Sequence, residues 1–183
     1  TWTWQNPITS CAYKYALVER RGQRIYVIYD AYCLDDYYSI KFFNSTDGGL
    51  TWGPVKTLLH GSESLGAKYE KPSMAVDGVG GDNDRIYVTA LLEWSTESLY
   101  SLYYKNSSDS GVSWSDKTLA SFDTPISSSS ITLNGSNIYV SFEWNCEIFF
   151  NKSEDYGATW SGERIDTITD SSKARYPSIT INE

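Results

Sequence analysis

An all-β fold of repeated four-stranded antiparallel sheets is what this 183-residue sequence predicts. Three observations carry that expectation. The pattern S-x-D-x-G-x-[TS]-W occurs three times, at Ser45–Trp52, Ser107–Trp114 and Ser153–Trp160. Five fixed positions met three times mark an internal repeat, and repeats settle architecture first. An Ile-Tyr-Val run precedes each copy, at Ile25–Val27, Ile86–Val88 and Ile138–Val140. Finally, aromatic residues make up 15% of the chain against a single Met and a single His. Aromatic and β-branched runs parted by Gly, Ser and Asn belong to strands and tight turns.

Each repeat supplies four strands, A to D. Strand A is read at Cys11–Leu17, Pro72–Gly78 and Ser130–Gly135, and again at Pro177–Asn182. Strand B holds the Ile-Tyr-Val run and stays apolar beyond it, so it must be covered on both faces. Strand C follows at Ile40–Phe43, Leu99–Tyr104 and Ile148–Phe150, and strand D is read at Val55–Leu59 and Glu163–Ile168. The repeated motif is the C–D loop. Its aspartate accepts backbone N–H bonds that a turn leaves unpaired, its glycine takes a φ > 0 position, and its tryptophan caps the loop. Asp47, Gly49 and Trp52, Asp109, Gly111 and Trp114, and Asp155, Gly157 and Trp160 are therefore expected to be structural.

Four strands per repeat at this period read as β-propeller blades stacked face to face. The chain is expected to be one propeller domain or segment, residues 1–183, with blades over approximately 11–61, 71–122 and 128–169 and strand A of a further blade over 174–183. The second repeat is longer, carrying an insert at Leu59–Ala67 and a longer A–B loop at Asp77–Asp84. Thr1–Pro7 looks like the end of a preceding motif. Three complete blades plus flanking strands do not close a ring. The expectation is a piece of a larger propeller, or a partial ring whose open edges self-assemble with other chains.

Composition excludes several partners. A net charge of −8 with no basic stripe excludes nucleic acid, and no apolar run reaches membrane-spanning length. Without an initiator Met or signal pattern the chain reads as a mature or excised piece. Sequons at Asn44, Asn106, Asn134 and Asn151 are glycosylation candidates that suit an extracellular or cell-surface location. A first turn centred on Gly22 sets Cys11 opposite Cys33 as a candidate disulfide, leaving Cys146 unpaired. No Cys/His spacing suits zinc.

The S-x-D-x-G-x-[TS]-W motif resembles the Asp-box, or bacterial neuraminidase repeat, and from Ala12 to the C-terminus the chain is similar to sialidase-like β-propellers. That resemblance implies that the boxes lie on the face away from an active site. The A–B turns then share the box face, and the B–C loops and D–A crossings share the other. The second face collects Asp35, Asp36, Tyr37, Tyr38, Glu93, Trp94, Glu97, Glu143, Trp144, Asn145, Tyr69, Glu70, Lys71, Arg175 and Tyr176. Carboxylates beside aromatic faces suit sugar rings. Asp35, Asp36, Glu93, Trp94, Glu143, Trp144 and Arg175 are the ligand-binding candidates, with aromatic packing between blades as the competing reading.

Sialidase chemistry would need an arginine cluster for the substrate carboxylate. Ala174-Arg175-Tyr176-Pro177 is similar to the family's arginine motif, yet Glu70 holds that place one repeat type earlier. Arg20, Arg21, Arg24 and Arg85 fall at A–B turns and Arg164 in a strand D, so no complete sialidase site is expected in this segment. Another glycosidase would need paired carboxylates, supplied by Asp35 or Asp36 with Glu93 or Glu143. Asp77, Asp82 and Asp84 on a glycine-rich loop suit calcium, the one cofactor considered, or else simply a turn. The expectation is a secreted or surface-displayed, non-catalytic scaffold binding a glycan or another extracellular protein. The alternatives are a sialidase-like glycoside hydrolase whose catalytic residues lie partly outside the chain, and a structural subunit of an extracellular assembly.

Overall fold

A computed structural model describes residues 11–33, 36–78, 80–165 and 176–181, apart from the side chains of Cys11 and Asp36. Among these residues there are twelve strands and no helix. They form three four-stranded antiparallel sheets, each in plain meander order. The first sheet holds β1 (Cys11–Arg21), β2 (Arg24–Cys33), β3 (Asp36–Ser45) and β4 (Lys56–Leu59). The second holds β5 (Ala67–Asp77), β6 (Arg85–Trp94), β7 (Leu99–Ser107) and β8 (Ser115–Phe122). The third holds β9 (Ile126–Asn134), β10 (Asn137–Trp144), β11 (Glu147–Ser153) and β12 (Ser161–Arg164). Each sheet is one blade. The A strands β1, β5 and β9 are neighbours in space.

The doubly apolar B strands do what their sequences require. On β2, Tyr26 and Ile28 face the second blade and meet Ile86, Val88 and Ala90 on β6 in one buried cluster. Tyr87 and Leu91, on the other face of β6, meet Ile138, Val140 and Phe142 of the third blade in another. Alternation across a strand thus becomes alternation between two blade interfaces. Tyr29 and Ala31, on the remaining face of β2, form a smaller cluster with Phe43 and Val55.

The three boxes are near copies. In the first, Asp47 Oδ1 accepts from Ser45 Oγ at 2.8 Å and from Thr51 N at 2.9 Å, and Oδ2 accepts from the Thr51 hydroxyl at 2.5 Å. Ser107, Ser113 and Asp109 repeat this set, as do Ser153, Thr159 and Asp155. The hydroxyl of the Thr or Ser six residues after the box serine, together with that residue's N–H and the serine hydroxyl, pulls each aspartate down to about 2.

The residue after each aspartate also has positive φ: Gly48 at 74°, Ser110 at 57° and Tyr156 at 57°. Its N–H donates to the A–B turn of the same blade, at Gln23 O (2.8 Å), Asp84 O (2.9 Å) and Ser136 O (3.0 Å). The box and the A–B turn therefore share one face. Each later box also locks onto the blade before it. Trp114 packs edge-on against Phe42 at 5.2 Å, and Trp160 against Tyr104 at 4.9 Å. Glycine is required beneath these contacts. A Cβ on Gly111 would lie 2.6 Å from Phe42, and one on Gly157 would overlap the Tyr104 hydroxyl.

The first hairpin departs from the expected geometry in an instructive way. Its turn is Gly22-Gln23, with Arg21 opposite Arg24, which alone would not bring Cys11 to Cys33. A β-bulge between Tyr13 and Ala16 shifts the register by one and sets Cys11 opposite Cys33. Asp30 holds that bulge, its Oδ1 accepting from Lys14 N at 3.0 Å and Tyr15 N at 2.9 Å. Cys33 is disulfide-bonded and Cys146 is free and exposed. Among the described residues β12 covers Ser161–Arg164; the rest of the strand read to Ile168 falls partly outside them, as do Thr1–Pro7, Ala174 and Arg175. Residues 176–181 carry no strand pairing, but Ile179 N donates to Ser130 Oγ at 3.3 Å, as Ile131 N does to Ser73 Oγ at 3.2 Å one blade earlier.

Candidate active site

The face opposite the boxes is built from B–C turns and D–A crossings, and hydrogen bonds tie the two together. Ser95 N, in the β6–β7 turn, donates to Gly66 O at 3.1 Å, and the Thr96 hydroxyl to Leu65 O at 2.7 Å. Gly61 of the same crossing lies so close to the carbonyls of Tyr37 and Tyr38 that no side chain would fit. In the third blade Trp144 Nε1 donates to Thr124 Oγ1 of the next crossing at 2.9 Å.

Between the second and third blades this face holds a cavity of about 150 Å³ lined by Lys68, Glu70, Lys71, Glu93, Tyr100 and Ile126, among others. Glu70 stands opposite Leu91 and Lys68 opposite Glu93 in the β5–β6 ladder. Glu70 and Glu93 are thus diagonal neighbours, whose spacing is roughly 7–8 Å in such a pair. Lys68 Nζ lies 3.7 Å from Glu93 and Lys14 Nζ lies 3.9 Å from Glu70. These ion pairs are partly exposed and weak, so neither carboxylate is locked in place. Lys71, at φ 51°, instead donates to Ser127 O at 2.8 Å. Beside them Tyr32, Tyr37 and Tyr38 form a ring cluster with centroids 4.6–5.7 Å apart, and Lys68 Nζ sits 5.5 Å from the Tyr38 ring.

Glu143, near the end of β10, is buried at 3% exposure, and its Oε2 has no hydrogen-bond partner. Ser128, directly opposite it in the ladder, and Ser141, two residues along the same face, also have buried hydroxyls without partners. A buried polar atom left unsatisfied costs about 1–3 kcal/mol, so three in one patch call for an explanation.

The sequence candidates separate accordingly. Glu93 and Glu143 stand on this face as expected. Trp144 is half-buried, its ring stacking on Phe122 at 4.0 Å. Trp94 is half-buried, with Nε1 enclosed and unpartnered. Asp35 and Arg175 lie outside the described residues, as does the Asp36 side chain. Glu70, Tyr37 and Tyr38, expected on this face though not among the ligand-binding candidates, stand there, and Tyr32 joins the two tyrosines only in three dimensions.

The calcium candidates do not converge. Asp84 is spent on protein donors, accepting from Tyr26 Oη at 2.7 Å, Gly80 N at 3.0 Å and Gly81 N at 3.2 Å. Asp82 pairs with Arg24. Among the described residues no group of three or more His, Cys, Asp or Glu is arranged to hold a metal ion. The arginines are engaged elsewhere as well. Arg21 donates to Val76 O, Arg85 lies 4.0 Å over the Tyr156 ring, and Arg164 pairs with Glu147 at 2.6 Å.

No protein-family model and no curated protein matches this chain. Solved structures do. The chain resembles the GH93 α-L-arabinofuranosidase of Fusarium graminearum, solved with arabinobiose, at TM-score 0.64 and 15% identity over 88% of this chain and 50% of that one. It resembles the α-L-arabinanase of Penicillium chrysogenum, also solved with arabinobiose, at TM-score 0.62 and 16% identity over 88% of this chain and 51% of that one. The fold is that of a β-propeller.

The chain spans about half the length of these two structures. Both are named as glycoside hydrolases, and this corrects the expectation of a non-catalytic carbohydrate-binding or protein-interaction scaffold.

Proposed function

We propose that this chain forms part of a glycoside hydrolase whose catalytic carboxylates stand on the face opposite the boxes, in an Asp-box propeller related to the sialidase-like group. The buried carboxyl of Glu143, whose Oε2 has no hydrogen-bond partner, carries this reading. Such a group is costly in a purely structural role, and active sites are where that cost is tolerated. Glu70 and Glu93 line the cavity between the second and third blades and are the candidates for the second carboxylate. Glycosidic cleavage needs one carboxylic acid to protonate the leaving oxygen. A second carboxylate either attacks the sugar or activates water, at about 5–5.5 Å or 6.5–9.5 Å respectively. The Tyr32, Tyr37 and Tyr38 rings offer an apolar face to a sugar ring.

A neutral sugar fits this face better than a sialic acid. Each described arginine discussed above is committed to the box face or to an outer strand, so a substrate carboxylate would find no guanidinium fork. The two arabinobiose complexes make α-L-arabinosides the first substrates to try. The test is hydrolysis of arabino-oligosaccharides and aryl α-L-arabinofuranosides by the full-length protein. Glu143→Gln is expected to lower kcat by at least two orders of magnitude. Replacing a buried carboxylate whose Oε2 is unpartnered should leave thermal stability equal or higher. Full activity in Glu143→Gln would remove this residue from the chemistry.

A further inference from the structure

The fold treats its four sequons unequally. Asn106 Oδ1 accepts from Ser115 Oγ at 2.5 Å, which ties the carboxamide to the start of β8. Asn44 Oδ1 lies over Gly53, 3.1 Å from where a Cβ would stand, and the Asn44 carbonyl accepts from Gly53 N at 2.8 Å. Asn151 is buried, with its carboxamide pressed onto the backbone of Gly162 in β12. Its sequon hydroxyl belongs to Ser153, which is 1% exposed, donates to Asp155 at 2.8 Å and accepts from Gly157 N at 2.8 Å. A glycan on Asn151 would have to displace β12 and dismantle the third box.

Asn134 is different. It ends β9 at a two-residue turn, Gly135-Ser136, opposite Asn137, and it is exposed. A Cβ built on Gly135 meets nothing within 4 Å, so the turn faces open space. Asn134 borders a cavity of about 450 Å³ together with Arg21, Asp77 and Ile181, room and polar neighbours for a first sugar. The turn is also held in place, because Ser136 O accepts from Tyr156 N at 3.0 Å.

We infer that Asn134 is the N-glycosylation site of this chain and that the fold closes the sequons at Asn44, Asn106 and Asn151. The co-reactant is an oligosaccharide carried on a lipid pyrophosphate. The Asn134 Nδ2 bonds to C1 of the first sugar, the C1–O bond to pyrophosphate breaks, and the amide gives up one proton as pyrophosphate leaves with the bonding pair. The disulfide-bonded Cys33 fits the oxidising compartment in which that transfer occurs.

The test is secretory expression of the chain in a eukaryotic host, with peptide mapping of both the secreted and the cell-retained protein after enzymatic deglycosylation in heavy-oxygen water. The label is expected on Asn134 alone in the secreted protein. Asn134→Gln and Ser136→Ala should each return the intact mass to that of the bare polypeptide, whereas Thr46→Ala and Ser108→Ala, which abolish the sequons of Asn44 and Asn106, should leave it glycosylated. An unlabelled Asn134 in both fractions would overturn the inference. So would a secreted, folded protein with a glycan on Asn151.

Discussion

Tyr26 and Tyr87 occupy equivalent places in successive B strands, each essentially buried, yet their hydroxyls have opposite fortunes. The Tyr26 hydroxyl donates to Asp84 Oδ2 at 2.7 Å across the first blade interface, while the Tyr87 hydroxyl is enclosed without a partner. Burial raises both phenols to about 12, so both are neutral throughout the physiological range. Tyr→Phe at either position keeps the ring and opens no cavity of consequence. At position 26 it strands a buried acceptor on Asp84, whose other oxygen stays bound by Gly80 and Gly81. That loss should be about 1–3 kcal/mol, and about 2–4 °C in melting temperature per kcal/mol for a chain of this size. At position 87 the same change removes an unsatisfied donor and should be neutral or stabilising. Urea titration of both variants, with unchanged slope, gives the two values directly. Equal losses at the two positions would refute this account of the interface, because the ring contributions are common and only the hydroxyl partner differs.

Other outcomes follow from the same contacts. Gly157→Ala combines positive-φ strain at 90° with a collision at Tyr104 and should cost roughly 3 kcal/mol or more in a thermal melt, whereas Gly135→Asn at φ 58° in open space should fall within about 1 kcal/mol of wild type. The box aspartates titrate at about 2, below the ordinary 3.8. Their stabilisation is therefore complete above the unfolded value and is lost as pH falls from 3.8 towards 2, which carboxyl-detected NMR titration with parallel acid unfolding would check. Asp30→Ala removes the acceptor for two bulge N–H groups and should cost about 1–3 kcal/mol in chemical denaturation. Its Cys33 bond should then be reduced more readily in a dithiothreitol titration, since the register that faces Cys11 to Cys33 loses its support.

Most of the architecture was legible because it is written in short-range patterns. The repeated S-x-D-x-G-x-[TS]-W loop holds itself by hydrogen bonds between residues two to four apart, which is why spacing alone pointed to structural work for Asp47, Asp109 and Asp155. Doubly apolar B strands implied blades covered on both sides, and Tyr26, Tyr87 and their neighbours fill two such interfaces. The site was less legible. Trp144 and Glu143 are adjacent in sequence and point to opposite faces of β10, so one stacks on Phe122 and the other is buried with its Oε2 unpartnered. Nothing in the residue types separates those fates. The non-catalytic reading was corrected by the likeness to two glycoside hydrolase structures rather than by any residue of the site.

What the sequence determined by itself, then, was the repeated four-stranded unit, the corner each box occupies and hence the face to which every loop belongs. All of these rest on local hydrogen bonding and side-chain periodicity. Tertiary structure alone decided which aromatics are spent between blades, and that Glu70 joins Glu93 across a bulged ladder. It also decided that a bulge rather than the turn aligns Cys11 with Cys33, and which asparagine is left open to solvent. Each of those depends on contacts between residues far apart in the chain, where a one-residue shift in register changes which side chains meet.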